Sequence, residues 1–251
     1  MSEKTRGGVL LFPHFSAERC GHLIAAAVHA ALDSKSPRVL LLGVLHALDA
    51  ELDDARKRVA AGGDPSEHES WGIQGPDLGG LKHWEREFSL SHFQWLWREE
   101  CARRGVTCPE LIVRYPFLAG GRPEQLPGIA ELENLVADGV FLVATADPFH
   151  HGHAYGDEHP IEAEAGGLDA ARESIEEGFR VMSKGQPQAW QEHCLGAKSD
   201  ARDVGQVILH LCGPMNGCIH ELTWEDMSEA YAVSSPNWVA GGLIELTAME
   251  K

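Results

Sequence analysis

Short apolar runs alternate along the chain with longer segments in which apolar residues recur every three or four positions. Such short runs predict buried strands, and the longer periodic segments predict helices. The predicted strands are GGVLLFPHF at 7–15, SPRVLLLGVLH at 36–46, VTCPELIVRYPF at 106–117, VFLVATAD at 140–147, LTWEDMSEAYAVSS at 222–235 and NWVAGGLIELT at 237–247.

Helices are predicted between these strands, at 16–32, 47–63, 84–105, 128–139, 166–185, 187–197 and 200–213, and a Gly-, Pro- and Ser-rich loop at 64–82. Strands that alternate with helices are typical of an α/β fold with a mainly parallel sheet. We therefore expect a three-layer α/β/α architecture around a mainly parallel sheet. No linker or repeat stands out, so a single domain over residues 1–251 is predicted.

Composition narrows the class of protein. The chain of 251 residues is 43% hydrophobic and 24% charged, which is typical of a soluble globular protein. Its longest apolar run, at 38–50, is interrupted by His46 and Asp49 and is too short to span a bilayer. A formal charge of -17 disfavours nucleic acid and anionic membranes as partners. The polar N-terminus and six scattered cysteines without a C-x-x-C pair predict a reducing, cytoplasmic location.

Histidines follow three of the predicted strands. His14 comes after GVLLFP, His46 after RVLLLGVL and His150 after VFLVATADPF, in a loop at 144–160 that holds four of the fourteen histidines. The C-terminal ends of parallel strands form the crevice where α/β proteins bind ligands. These imidazoles are therefore expected to converge. They are either polar strand ends bonded to the backbone or, with an anionic ligand, a site for a divalent metal such as iron.

A third ligand is not singled out by the residues alone. The segment HLCGPMNGCIHE offers His210, Cys212, Cys218, His220 and Glu221. Cys212 stands at a predicted helix end, where a thiolate could point inward. A buried cysteine that acts as a small apolar residue is the more common case.

Several short motifs occur in the order seen in the Memo family, whose fold is related to the class III extradiol dioxygenases. They are PHFSAERCG at 13–21, GVLHA at 43–47, EFSLSHF at 87–93, ADPFHHG at 146–152, CGP at 212–214 and WVAGGLIEL at 238–246. The chain resembles this family over most of its length. It departs from the family pattern in FSA after His14 and at Ala47, Phe88 and Pro214.

The resemblance implies a metal bound by His14, His46 and Cys212. It places His150 as an acid or base in the pocket, with Asp147 orienting the site. In related dioxygenases the metal is Fe(II), and a thiolate with imidazoles also suits copper. Further pocket residues are predicted at His92, which would replace the family histidine lost at Phe88, and at His151 and Tyr155 in the histidine-rich loop.

The predicted function is that of a non-haem Fe(II) dioxygenase. Its partners would be O2 and a small aromatic (a catechol, an aminophenol or a related phenolic) chelated to the metal. Two other classes stay open: a non-catalytic iron- or copper-binding adaptor of the Memo type, and a metal-dependent hydrolase. The tryptophan-rich segment HFQWLW at 92–97 is typical of a core or subunit interface, so a homodimer is also an expectation.

Overall fold

The computed structural model describes residues 8–46 and 49–249. Its strands are β1 (Gly8–Phe12), β2 (Arg38–Leu42), β3 (Gly72–Gln74), β4 (Glu110–Phe117), β5 (Phe141–Thr145), β6 (Phe149–Gly152), β7 (Met215–Asp226) and β8 (Asn237–Ala248). Its helices are α1 (Ala17–Asp33), α2 (Ala50–Ala60), α3 (Ser91–Arg104), α4 (Ile129–Ala137), α5 (Gly167–Met182), α6 (Pro187–Gly196), α7 (Arg202–Cys212) and the single turn α8 (Ser228–Tyr231).

The strands form one eight-stranded mixed sheet in the order β3-β4-β2-β5-β1-β8-β6, with β7 paired to β8. Its centre is parallel, because β4, β2, β5 and β1 pair side by side in the same direction. The remaining pairings are antiparallel. On one edge β8 pairs with β7, and its other edge pairs with β1 in its second half and with β6 in its first half.

Helices cover both faces of the sheet. Alternate residues of β2 point to opposite sides, so Val39 and Leu41 join one apolar core while Leu40 and Leu42 join the other. The first core is completed by α1, α2 and α3, and the second by α4, α5, α6 and α7. The predicted α/β class with a mostly parallel central sheet is confirmed. No helix within the described ranges has both the length and the apolar character that a bilayer crossing requires.

Several element boundaries differ from the prediction. Residues 149–152 form β6, and residues 72–74 form β3, where loops were expected. Helix α3 starts at Ser91 rather than near residue 84, and the strand expected at 222–235 starts earlier, at Met215, and gives way to the turn α8. Helix α2 starts at Ala50; the predicted start at Ala47 lies outside the described residues.

Tertiary contacts explain the later start of α3. The segment before it contains a short 3-10 turn at His83–Arg86, after which Glu87 adopts an extended backbone conformation. The Glu87 carboxylate accepts hydrogen bonds from the backbone N–H groups of Phe88 and Ser89 at 2.7 and 2.8 Å, and from that of His46 at 2.6 Å. The segment is therefore fixed against the end of β2 rather than wound into the helix.

Candidate metal centre

The C-terminal ends of three parallel strands bring polar side chains to one edge of the sheet. His14 follows the end of β1 by two residues, His46 follows that of β2 by four, and Asp147 follows that of β5 by two. His150 reaches the same place from β6, which pairs with the first half of β8. The three imidazoles that the sequence predicts to converge do meet at this edge, and Asp147 joins them.

The Nε2 atoms of three histidines point at a single carboxylate oxygen. Oδ2 of Asp200 lies 3.2 Å from Nε2 of His14, 3.8 Å from Nε2 of His46 and 3.8 Å from Nε2 of His150. The Nε2 atoms of His14 and His46 are 3.3 Å apart. These side chains form two overlapping groups of potential metal ligands, His14–His46–Asp200 and Asp147–His150–Asp200. Within each group the donor atoms lie within 4.8 Å of one another.

Asp200 belongs to the loop between α6 and α7, and one of its oxygens is anchored. Oδ1 accepts a hydrogen bond from the backbone N–H of Asp147 at 2.8 Å. Oδ2 is buried and faces Nε2 of His14 at 3.2 Å, so it is satisfied only when a proton or a metal ion lies between these two atoms. A buried carboxylate oxygen without a partner is costly unless a cation or a donor reaches it. The anchored oxygen therefore directs an unsatisfied one toward the three imidazoles.

The other ring nitrogen of His14 is held by a hydroxyl group. Nδ1 of His14 lies 3.1 Å from Oγ1 of Thr145, whose own proton goes to the carbonyl of Phe12 at 2.8 Å. Since that hydroxyl proton is already used, Nδ1 must be the donor. In the neutral ring this leaves a lone pair on Nε2 that points into the group.

His46 is fixed in the same way by a carboxylate. Its Nδ1 donates to Oε1 of Glu87 at 2.9 Å. Burial raises the pKa of Glu87, but the hydrogen bonds from His46 and from the backbone outweigh burial and lower it to about 2, so Glu87 is charged. Carboxylates and backbone or hydroxyl oxygens that orient ligating imidazoles in this way are typical partners of metal-binding histidines.

The distances fit one divalent ion. Ligand atoms about 2.1 Å from a metal are separated by roughly 3.0–3.4 Å in octahedral or tetrahedral geometry. The 3.3 Å between the two Nε2 atoms and the 3.2 Å from His14 to Asp200 match this range, and the 3.8 Å from His46 to Asp200 is longer, so a bound ion would draw these two side chains closer together. Two imidazole lone pairs facing each other repel unless a proton or a metal lies between them. His14, His46 and Asp200 are thus suited to hold a metal ion.

The electrostatics of the site call for a cation. Burial lowers the pKa of His14, but the charges of Asp147 and Asp200 outweigh it and raise this pKa to about 9. Burial raises the pKa of Asp200, yet His14, His150 and His46 bring it well below its usual range. Burial also raises the pKa of Asp147, to about 7, against the opposing effect of His14. Two carboxyl groups thus share one buried site, where they face imidazoles and accept hydrogen bonds from the backbone N–H groups of His14 and Asp147.

His150 differs from the other two histidines. Burial lowers its pKa to about 4 although the charge of Asp200 raises it, so the ring is neutral near pH 7. It packs against Tyr155, with ring centroids 4.9 Å apart, and Tyr155 meets Tyr231 at 5.4 Å. On the opposite side Phe88 stacks on His46 at 4.6 Å. Phe88 and Tyr231 are half-exposed, so aromatic rings form the rim of the group.

The prediction of Cys212 as third ligand needs correction. Cys212 is the last residue of α7, whereas Asp200 lies two residues before its first. Eleven helical residues span about 16 Å, which places the cysteine far from the site. It packs instead, half-buried, against the core formed by α4, α5, α6 and α7. Asp200 takes the place expected for Cys212.

One of the three predicted pocket residues, His151, lies elsewhere. His92 is exposed in the first turn of α3 and takes no part in the ligand groups of the described chain. His151 neighbours His150 on β6 and therefore points to the opposite face, because side chains alternate along a strand. There its Nδ1 lies 3.0 Å from Asp157, and its Nε2 accepts from the backbone of Ile161 at 2.9 Å. Tyr155 does lie beside His150.

Sequence reasoning missed Asp200, Thr145 and the role of Glu87. Asp200 was included as the first residue of a predicted helix, where an aspartate usually caps the helix. The structure starts α7 at Arg202, with Ala201 at the cap position, so Asp200 is free to face the strand ends. The sequence feature that could have pointed to Asp200 is an acidic residue just before a helix that packs on the sheet.

Comparison of the sequence with protein-family models and with curated proteins finds no match to either.

Proposed function

We propose that the protein is a non-haem Fe(II) dioxygenase that acts on a small aromatic such as a catechol or an aminophenol. The observation that carries the proposal is the unsatisfied Oδ2 of Asp200, which lies close to the Nε2 atoms of His14 and His46. Two histidines and one carboxylate that leave coordination positions open are the ligand set of non-haem Fe(II) oxygenases. Iron bound there would supply open positions for a chelating substrate and for O2.

The identity of the third ligand bears on the choice between an iron enzyme and a copper-binding adaptor. Copper was an option because a thiolate with imidazoles suits Cu(I). A carboxylate is a harder ligand, and Cys212 lies at the far end of α7. The copper-binding adaptor therefore loses the feature that supported it, whereas the iron enzyme gains a carboxylate in the expected role.

The rim supports an aromatic substrate. Phe88 and Tyr231 are each about half-exposed, although large aromatic side chains are usually more buried. Flat rings on both sides of the group, Phe88 over His46 and Tyr155 beside His150, favour a flat aromatic ligand through stacking.

His150 is the residue proposed to move the proton. Its ring is neutral near pH 7, so it can accept the proton that a phenol loses when its oxygen becomes a ligand. Asp147 holds the end of β1 in place, since its Oδ1 accepts the backbone N–H of His14 at 3.2 Å. Its backbone N–H anchors Asp200, so Asp147 positions two of the proposed ligands.

The fold is consistent with a wider relationship. Helices on both faces of a mixed sheet with a parallel centre are compatible with the proposed three-layer, class III extradiol dioxygenase-like architecture. We propose that the chain is a member of the Memo family, which the order of its short motifs supports, with Asp200 as the third ligand in place of the cysteine.

The test is reconstitution with Fe(II) under anaerobic conditions, followed by measurement of O2 uptake with catechols and aminophenols. We expect one iron per chain and substrate-dependent O2 consumption. Asp200→Asn should lose most of the bound iron, and Cys212→Ala should keep it. An absence of turnover with every phenol, or iron loss in Cys212→Ala but not in Asp200→Asn, contradicts the proposal.

A second candidate is a zinc-dependent hydrolase. It is favoured by Asp147, because a carboxyl group whose pKa is raised to about 7 beside metal ligands suits a general base. Two histidines and a carboxylate also bind catalytic zinc. Ester or amide hydrolysis by the zinc-loaded protein, without O2 consumption by the iron-loaded protein, would favour this candidate.

A further inference from the structure

A small internal cavity lies directly behind the candidate metal centre. It has a volume of about 30 Å³ and lies between the sheet and α5, α6 and α7. Its wall includes Ala146 and Pro148, the two neighbours of Asp147 in the chain. It also includes Ser199 and Ala201, the two neighbours of Asp200. Both buried carboxylates of the centre are thus carried by backbone that lines the cavity.

The lining is almost entirely apolar. Helix α5 contributes one face to it, with Ile175 and Met182, and α7 contributes Val204 and Ile208. Leu11 of β1 closes the side toward the sheet. These side chains are packed against each other in the core that α4–α7 share with the sheet.

Two of the three polar side chains of the lining are already satisfied. The indole N–H of Trp190 donates to the carbonyl of Ala201 at 3.2 Å, and the hydroxyl of Ser199 donates to the carbonyl of Asp147 at 3.2 Å. Among the lining residues only His193 is ionisable. A buried water needs two to four polar partners, and apolar cavities that lack them stay dry and bind apolar gases. The volume is about twice the roughly 10–15 Å³ that one water-sized molecule needs, which leaves room for a diatomic gas.

We propose that this cavity binds dioxygen next to the metal centre. The choice of dioxygen over other small apolar gases rests on the proposed function. The gas would lie against the segments that carry Asp147 and Asp200, within the protein rather than in bulk solvent. The cavity would thereby raise the local concentration of the gas beside the site that consumes it.

Dissolved dioxygen is paramagnetic and accelerates the relaxation of nearby methyl groups, so binding can be measured without turnover. The sample is the full chain, either metal-free or loaded with diamagnetic Zn(II). We expect the methyl groups of Ile175 and Ile208 to respond to O2 several-fold more than that of Ile24. Ile24 is equally buried but lies in the core on the opposite face of the sheet. An equal response of all three residues would overturn the proposal, whatever reaction the protein catalyses.

A filled cavity gives a second measurement. Val204→Leu adds a methylene group to the lining, and Val207→Leu makes the same change on the same helix at a buried residue outside the lining. We expect Val204→Leu alone to reduce the methyl response and to raise the KM for O2 several-fold, with the KM for the aromatic unchanged. A lost methyl response with an unchanged KM for O2 would refute a role in oxygen supply. If no phenol is oxidised at all, the proposed function fails, but the methyl measurement still shows whether the cavity binds dioxygen.

Discussion

The direction of each lone pair in the candidate centre is set by the partner of the other ring nitrogen. Thr145 and Glu87 occupy Nδ1 of His14 and His46, so both rings present Nε2 to Asp200. His150 is placed by its strand instead. A histidine at a strand end is thus a ligand candidate only when a second residue fixes its tautomer and orientation.

Loss of the Glu87 charge should weaken metal binding. Glu87→Gln removes the negative charge that His46 faces. It also places the NH2 group of an amide next to backbone N–H groups that donate to the carboxylate in the wild type. We expect metal affinity to fall about 10- to 100-fold, as for other orienting partners of ligating histidines. Competition with a chelator measures the effect. Glu221→Gln is the matched control, because Glu221 binds His22 at 2.7 Å but both side chains are exposed.

Replacement of His150 should separate turnover from metal binding. In His150→Gln the ligands His14, His46 and Asp200 remain, so we expect bound iron to stay near one per chain. Turnover should fall about 10²- to 10⁴-fold, the usual effect of losing a general base. In His151→Gln, whose side chain faces away from the centre, turnover should stay close to that of the wild type. Iron loss in His150→Gln would show instead that His150 is a ligand.

At this scale the histidines and Asp147 could be predicted, and Asp200 could not. His14 and His46 follow strongly apolar strands, so their place at the sheet edge follows from the pattern. Asp200 is preceded and followed by helices, and its position depends on a hydrogen bond to Asp147, more than fifty residues earlier in the chain. The family resemblance implies Cys212 as a ligand, but the site lies at the other end of the helix that this cysteine ends.

At the scale of elements, β6 determines where His150 lies. Its four residues carry few strand-forming side chains, and the segment forms a strand because it pairs with β8, more than eighty residues later. Such pairing leaves no local signal, so the segment looked like a loop. The five-residue strands β2 and β5 were predictable, since they are buried on both faces and therefore read as continuous apolar runs.

Gly152 allows β6 to approach β8 closely. Its φ of +131° lies in a region that residues with a side chain rarely adopt, and a Cβ there would lie 2.4 Å from Cα of Asn237. Gly152→Ala should therefore cost about 3 kcal/mol of unfolding free energy, from backbone strain together with the clash. Denaturant titration measures this change.

Gly156 provides the comparison for that measurement. It also has a positive φ, of +81°, but a Cβ at this position would meet no atom within 4 Å. Gly156→Ala should cost about 1 kcal/mol, from the left-handed backbone alone. If both variants lose the same unfolding free energy, the close approach of β6 to β8 adds nothing to the destabilisation caused by Gly152→Ala.

At the scale of the whole molecule, the proposed ligands join distant parts of the chain. His14 follows β1 and His46 follows β2, both in the sheet, whereas Asp200 precedes the helix α7. A metal bound by all three stabilises the fold as a unit, because the ligands are brought together only in the folded state.

Metal binding should accordingly raise the melting temperature. At 100 times the Kd a ligand adds about 2.7 kcal/mol, which for a chain of this size corresponds to about 5–10 °C in Tm. Fe(II) or Zn(II) should produce this shift, and Mg²⁺, which prefers oxygen ligands, should not. Thermal denaturation of the wild type and of Asp200→Asn measures it. A shift of equal size in both proteins would place the metal elsewhere.

Strand β8 has a consequence for the order of events during biosynthesis. It borders β1 and β6 on one edge, and β6 has no other partner strand in the described sheet. The ribosome makes β8 after every other strand, when His14, His46 and Asp200 have already been synthesised. Until β8 leaves the exit tunnel, β6 lacks its partner strand, and His150 is held only by contacts outside the sheet, such as the hydrogen bond from its backbone N–H to the carbonyl of Ala197 at 3.2 Å. The surroundings of the proposed metal site are therefore complete only after β8 has been translated.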